Sequence, residues 1–170
     1  MKLLSSEQAA EWRRVNGVEL DVGVRPFAVR SLPKNRRFSM PKASQYTWLA
    51  RFIASELLPW DECLFLVTAW GIWNSSENWH MYYKLRESYG HHEPIFDEVP
   101  AHLFQSFENH DLSTFIQVAL YFGWDFYVLT NTSYKSFFAS HDEWIEFRVQ
   151  EETVLETLTE TLRKAGLARQ

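Results

Sequence analysis

The run Ser140-His141-Asp142-Glu143 places a hydroxyl, an imidazole and two carboxylates side by side, the densest group of acid, base and metal-ligand side chains in the chain. At a turn such groups can converge on a substrate. One expectation is therefore a metal-assisted hydrolase or transferase using His141, Asp142 and Glu143 with help from a distant histidine. The same residues also suit a plain hairpin turn in which Ser and Asp bond the local backbone. Glu77-x-x-His80 has the i, i+3 spacing of carboxylate-bridged metal sites on helices, but such sites need a second pair that this sequence lacks. His91-His92-Glu93, with His102 and His110, could bind a divalent ion or respond to pH, yet no spacing among them fixes a coordination geometry. No metal site and no cofactor is expected.

Other motifs are missing. The six glycines, at 17, 23, 71, 90, 123 and 166, build neither a G-x-G-x-x-G fingerprint nor a phosphate-binding loop. There is no G-x-S-x-G elbow, no H-E-x-x-H and no cysteine pair for zinc. Cys63 is the only cysteine and lies in the apolar run Cys63-Leu64-Phe65-Leu66-Val67, as a structural thiol would.

Charge is separated along the chain. From Val22 to Ser55 there are seven bases and no acid; from Glu87 to Tyr134 there are seven acids and no Lys or Arg. Arg25, Arg30, Lys34, Arg36 and Arg37, interleaved with Phe27, Phe38, Tyr46 and Trp48, could meet a polyanion by combining phosphate contacts with stacking rings. A pI near 5.7 weighs against a dedicated nucleic-acid binder, so a solvated loop or an anionic protein contact is the better reading. The acidic stretch, with Glu93, Asp97, Glu98 and Glu108, would steer a basic protein partner. Trp70, Trp73, Trp79, Tyr82 and Tyr83 crowd one strand end and the next helix. Most such rings fill a core, but Trp73, Trp79 and Tyr82 are also candidate anchors for a partner.

These groups must be positioned by helices and strands that the sequence punctuates clearly in places. Ser5-x-x-Gln8 is a capping box for a first helix that stops at Asn16-Gly17. Alternation over Val18 to Val24 predicts a strand, and Pro26, Pro33 and Pro41 predict a long irregular basic loop. Ser44 is the expected cap of a second helix ended by Pro59, and residues 62 to 70 read as a buried central strand. Asn74-Ser75-Ser76 offers caps for a third helix that stops at Gly90; residues 91 to 110 read as an acidic connection without period. Asp111 is the expected cap of a helix carrying Leu112, Phe115, Ile116, Ala119 and Leu120, with Gly123 as its left-handed stop. Strands over 124–129, 136–139 and 145–149 and a helix from Glu151 to Gly166 with Leu155, Leu158 and Leu162 inward complete the chain.

The fold class expected is α+β: a mostly antiparallel or mixed sheet of about four to five strands packed with about five helices, all in a single globular domain over 1–170. The opening Met1-Lys2-Leu3-Leu4 is too short an apolar stretch for a secretory signal, and Cys63 to Trp73 is too short to span a membrane. A cytoplasmic location follows as the default.

Asp111-Leu112-Ser113-Thr114-Phe115, then Phe122-Gly123-Trp124-Asp125, then Phe138 to Glu146 resembles a helix-strand-strand ending of small bacterial proteins, including immunity-type proteins of toxin systems. The likeness covers less than a quarter of the chain. It implies a cytoplasmic, non-catalytic inhibitor whose partner is another protein, such as a basic toxin domain, with these residues serving as scaffold.

Overall fold

In the computed structural model, residues 1–21, 28–29, 32–70, 76–91, 100–132 and 134–168 are described, with backbone alone for 21, 28–29 and 76–79. The elements in order are β1 (Lys2–Leu4), α1 (Ser6–Val15), β2 (Leu20–Asp21), β3 (Ala28–Val29), β4 (Lys34–Ser39), α2 (Tyr46–Glu56), β5 (Glu62–Ala69) and α3 (Ser76–Glu87). They continue with β6 (Ala101–Gln105), α4 (Asn109–Phe122), β7 (Asp125–Thr130), β8 (Lys135–Ser140), β9 (Trp144–Val149) and α5 (Glu152–Lys164). The expected α+β class holds: the described residues form five helices and a seven-stranded antiparallel sheet in the order β1-β6-β5-β7-β8-β9-β4.

Alternation along each strand sorts its side chains onto two faces. Cys63, Phe65 and Val67 of β5, Phe126 and Val128 of β7, and Phe137, Phe147 and Phe38 form one core with the inward faces of α2, α4 and α5. Leu64, Leu66, Leu103, Tyr127, Leu129 and Phe138 face the other way and are covered by Leu4, Ala9, Trp12, Val18 and Leu32. The sheet is thus buried on both sides, which is why β5 carries an unbroken apolar run.

Several local readings hold. Ser5 and Gln8 form the capping box of α1. Gly123 ends α4 at φ 62, a left-handed conformation that a side chain adopts only with strain. Leu155, Leu158 and Leu162 are the buried face of α5. Residues 22–27, 74–75 and 92–99, which include the end of the first alternating stretch, two caps of α3 and much of the acidic connection, lie outside the described residues.

Other readings are corrected. The sheet has seven strands rather than four or five, because three were missed. Lys34–Ser39 is a strand, not loop: its prolines, at 33 and 41, bracket it, and it pairs with β9 from Lys34↔Val149 to Ser39↔Trp144. Ala101–Gln105 is a buried strand between β1 and β5, although it sits in what reads as an acidic connection. Lys2–Leu4 adds an edge strand. Ser44 lies inside a 3-10 turn, Ala43–Gln45, ahead of α2 and does not cap it. Asp111 falls in the first turn of α4, where its charge complements the helix dipole, while Glu108 holds the cap position.

Candidate functional site

The end of the β8–β9 hairpin brings the densest chemical group together with a residue from the next strand. Because β7 and β8 pair with Phe126 opposite Ala139, Asp125 and Ser140 stand at the same end of the sheet. Asp125 Oδ1 accepts from the His141 backbone N–H at 2.7 Å and lies 2.8 Å from its Nδ1. His141 Nε2 is 3.4 Å from an oxygen of the exposed Asp142. The Asp142 N–H donates to Ser140 Oγ, and Ser140 is buried, so the hydroxyl is used in the turn rather than offered to a substrate. Glu143 takes a positive φ of 63 at the hairpin tip. Among the described residues the distant partner of His141 is the Asp125 carboxylate, where the sequence led us to expect a histidine. Among the described residues no three His, Cys, Asp or Glu side chains gather as a metal site. An Asp–His pair can orient an imidazole for proton transfer, while the hydroxyl of the same turn, Ser140 Oγ, is taken up by the Asp142 N–H.

Asp125 holds both ends of the His141 residue, its backbone and its ring, and so acts as a clamp on the hairpin. Asp125→Ala is expected to lower unfolding stability by about 1–3 kcal/mol, since two donors lose their acceptor. Urea denaturation monitored by tryptophan fluorescence will measure it; a loss below about 0.5 kcal/mol would show that water replaces the carboxylate at no cost.

The basic segment is divided by the sheet rather than gathered. Arg36 turns toward α5, with Nη1 2.8 Å from Thr159 Oγ1 and Nη2 3.2 Å from Glu152, and Lys34 lies 3.8 Å from the same carboxylate. Arg37 points to the opposite face, where its Nε is 2.9 Å from the buried Glu146 and its guanidinium lies 4.1 Å above the Trp144 ring. Arg148 approaches Glu146 from the other side. Lys34, Arg36 and Arg37 thus have acidic neighbours already; Arg25 and Arg30 lie outside the described residues.

Of the expected partner-binding residues, Tyr82 belongs to the core. It is fully buried against Trp124 and Phe115, and its hydroxyl bonds His102 Nε2, so it cannot anchor a partner. Glu108 is spent within the fold, pairing with the Met1 ammonium and accepting from the Gln105 N–H. Trp73, Glu93, Asp97 and Glu98, and the side chain of Trp79, lie outside what is described. Cys63 is wholly buried, and burial pushes its thiol up, away from nucleophilic chemistry.

Comparison with family models, curated proteins and solved structures finds no match. The site must be read from geometry alone. On that basis the surface that stands out is the outer side of the α2–α4 pair. Tyr46 packs edge-on against Tyr121 at 5.2 Å, and Trp48 stacks on Phe52 at 5.2 Å and 13°. Trp48 is 38% and Tyr121 52% exposed, so these rings are braced by neighbours yet open to solvent. The same two helices enclose a groove of about 460 Å³ lined by Arg51, Ala54, Ser55, Asn109, His110 and Ser113. The aromatic residues of α2 have helix-core spacing, yet Trp48 is exposed because of how the helices pair, which no local pattern specifies.

Proposed function

We propose that this protein acts by binding another protein, in the manner of an immunity-type inhibitor, and does not turn over a substrate. The observation that carries the reading is that two braced rings of the α2 and α4 helices, Trp48 on Phe52 and Tyr121 on Tyr46, stay open to solvent, and that the same two helices also line a groove. Rings already fixed by their neighbours lose little conformational freedom on association, and aromatic residues dominate the energetics of interfaces. The acids of the undescribed stretch, Glu93, Asp97 and Glu98, support the reading from the sequence side as a means of steering a basic partner.

Co-expression with the protein encoded by the neighbouring gene, followed by purification and a survival assay, tests it. The expected result is a complex and protection of the host. Trp48→Ala with Tyr121→Ala should weaken that complex by about tenfold or more, as loss of anchors does. Glu93→Lys, Asp97→Lys and Glu98→Lys together should instead slow association and flatten its dependence on salt. No complex and no protection would remove the inhibitor reading; a complex unaffected by the aromatic pair would leave the inhibitor but move its face.

The Asp125–His141 pair favours a second reading, acid–base catalysis at the hairpin end. A turnover assay in which His141→Ala abolishes activity while the fold is retained would displace the binding reading.

A further inference from the structure

Glu146 holds two arginines and can neutralise only one. Trp144, Glu146 and Arg148 alternate along β9 onto one face of the sheet, and Arg37 of β4 is the cross-strand partner of Glu146. On the opposite face Phe38 and Phe147 join the core with the leucines of α5. Glu146 is buried, and a buried carboxylate is stable only when its charge is compensated. Arg37 Nε donates to its Oε2 at 2.9 Å. Arg148 Nε lies 2.5 Å from Oε1, yet that oxygen accepts no hydrogen bond, so the contact is one of charge and the N–H bonds of Arg148 point elsewhere.

One guanidinium would balance the carboxylate; the second leaves a surplus positive charge on this face, because arginine does not shed its proton in a protein. Arg37 is 44% exposed and its guanidinium is steadied over the Trp144 ring, while Arg148 keeps 13% of its side chain open. Among the described residues no acceptor stands against the terminal nitrogens of either fork. The cross-strand partners of Arg148, Asn35 on β4 and Ser136 on β8, bring no charge.

We propose that Arg37 and Arg148 together form a binding site for a phosphate group. A carboxylate has two oxygens in one plane and is matched by a single fork; two forks held on neighbouring strands suit the several oxygens of a tetrahedral anion. Glu146 anchors both guanidiniums and Trp144 covers one face of Arg37, which leaves the terminal N–H groups for the ligand. Lys34 and Arg36 turn toward α5 and take no part. This inference stands apart from the protein-binding reading and does not depend on it.

The test follows the side-chain Nε–Hε resonances of Arg37 and Arg148 in the full chain while inorganic phosphate or phenyl phosphate replaces chloride at constant ionic strength. Both should shift together and saturate at one midpoint concentration, while that of Arg163, pinned to Glu160 on the surface of α5, stays in place. A response to phenyl phosphate assigns the site to phosphate esters; a response to inorganic phosphate alone assigns it to the free anion. Thermal melts give a second measurement. At a hundredfold excess over its dissociation constant the ligand should raise the wild-type midpoint by roughly 5 to 10 °C. Arg37→Lys and Arg148→Lys each keep the charge beside Glu146 but lose the fork, and should bind about tenfold more weakly or worse. Lys164→Gln, on the exposed side of α5, should bind as the wild type does. The proposal is overturned if neither probe moves the two resonances, if only one of the pair moves, or if phosphate raises the midpoints of the wild type and both lysine variants equally, as general salt stabilisation does.

Discussion

Lowering the pH from 6.5 to 5 is expected to destabilise the fold by about 2 kcal/mol through one buried imidazole, His102. His102 lies in β6 with no exposed surface. Burial pushes its pKa down to about 3, and the Arg86 charge presses in the same direction. In the unfolded chain the ordinary value is about 6.5. Above that value neither state binds the proton and His102 contributes no pH dependence. Below it the unfolded chain takes up the proton and the folded chain does not, so stability falls with pH until the folded imidazole itself titrates near 3. Urea midpoints at pH 7, 6 and 5 would show the slope. The double variant Tyr82→Phe/His102→Leu removes both partners of the Tyr82–His102 hydrogen bond and should be flat over that window. Glu108 does not confuse the measurement. Although burial would raise it, the Met1 ammonium and the Gln105 N–H hold it below the usual carboxylate range, so its stabilisation is lost only in more acid solution. A wild-type stability unchanged between pH 7 and 5 would mean that His102 is charged in the fold.

Phe115→Ala is expected to cost about 3–5 kcal/mol and to lower the melting midpoint by roughly 10 °C. The reason is position. Five rings lie 5.1 to 6.3 Å from the Phe115 ring: His102, Phe104, Tyr89, Phe65 and Tyr82. Its removal opens a cavity bounded by groups held in one helix, the turn that follows it and two strands, which cannot all collapse inward. The vacated space lies against His102, so the variant should also lose part of its acid sensitivity as water reaches the imidazole. A loss under about 1.5 kcal/mol would show that the neighbouring rings close the gap.

The helices and the second half of the sheet were legible because local signals agreed. Ser5 and Gln8, the i, i+3, i+4 spacing of Leu112 to Leu120, Gly123, and the leucine face of α5 each named an element and its inward side. The strands that escaped notice draw their stability from partners far along the chain. Lys34–Ser39 is rich in charge, and only Phe38 among its six residues is fully buried; it is a strand because β9 lies beside it. Ala101–Gln105 carries His102 on its buried face, and an imidazole in an apolar alternation conceals the period. The candidate sites were legible as residue types, not as neighbourhoods. His141 was visible, but Asp125, sixteen residues earlier, was recognisable as its partner only through the β7–β8 register. Arg86, buried in the last turn of α3, left no sequence signal beyond its place four residues after the buried Tyr82.

The two outermost strands of the sheet, β1 and β4, come from the first forty residues, whereas the strands they pair with come late: Lys2 faces Leu103, and Lys34 faces Val149. On a ribosome adding about 5–20 residues each second, β4 must therefore wait roughly 5 to 20 seconds for its neighbour, long after it has left the tunnel. The chain carries that delay with lysine and arginine at positions 34, 36 and 37, charges that repel a second nascent copy and discourage premature pairing. The β5–β7–β8–β9 portion closes by shorter loops and offers the nucleus onto which the early strands later dock. Synthesis order and sheet order thus run against each other, and slow refolding of the full chain, set by these long-range pairings, is the kinetic signature to expect.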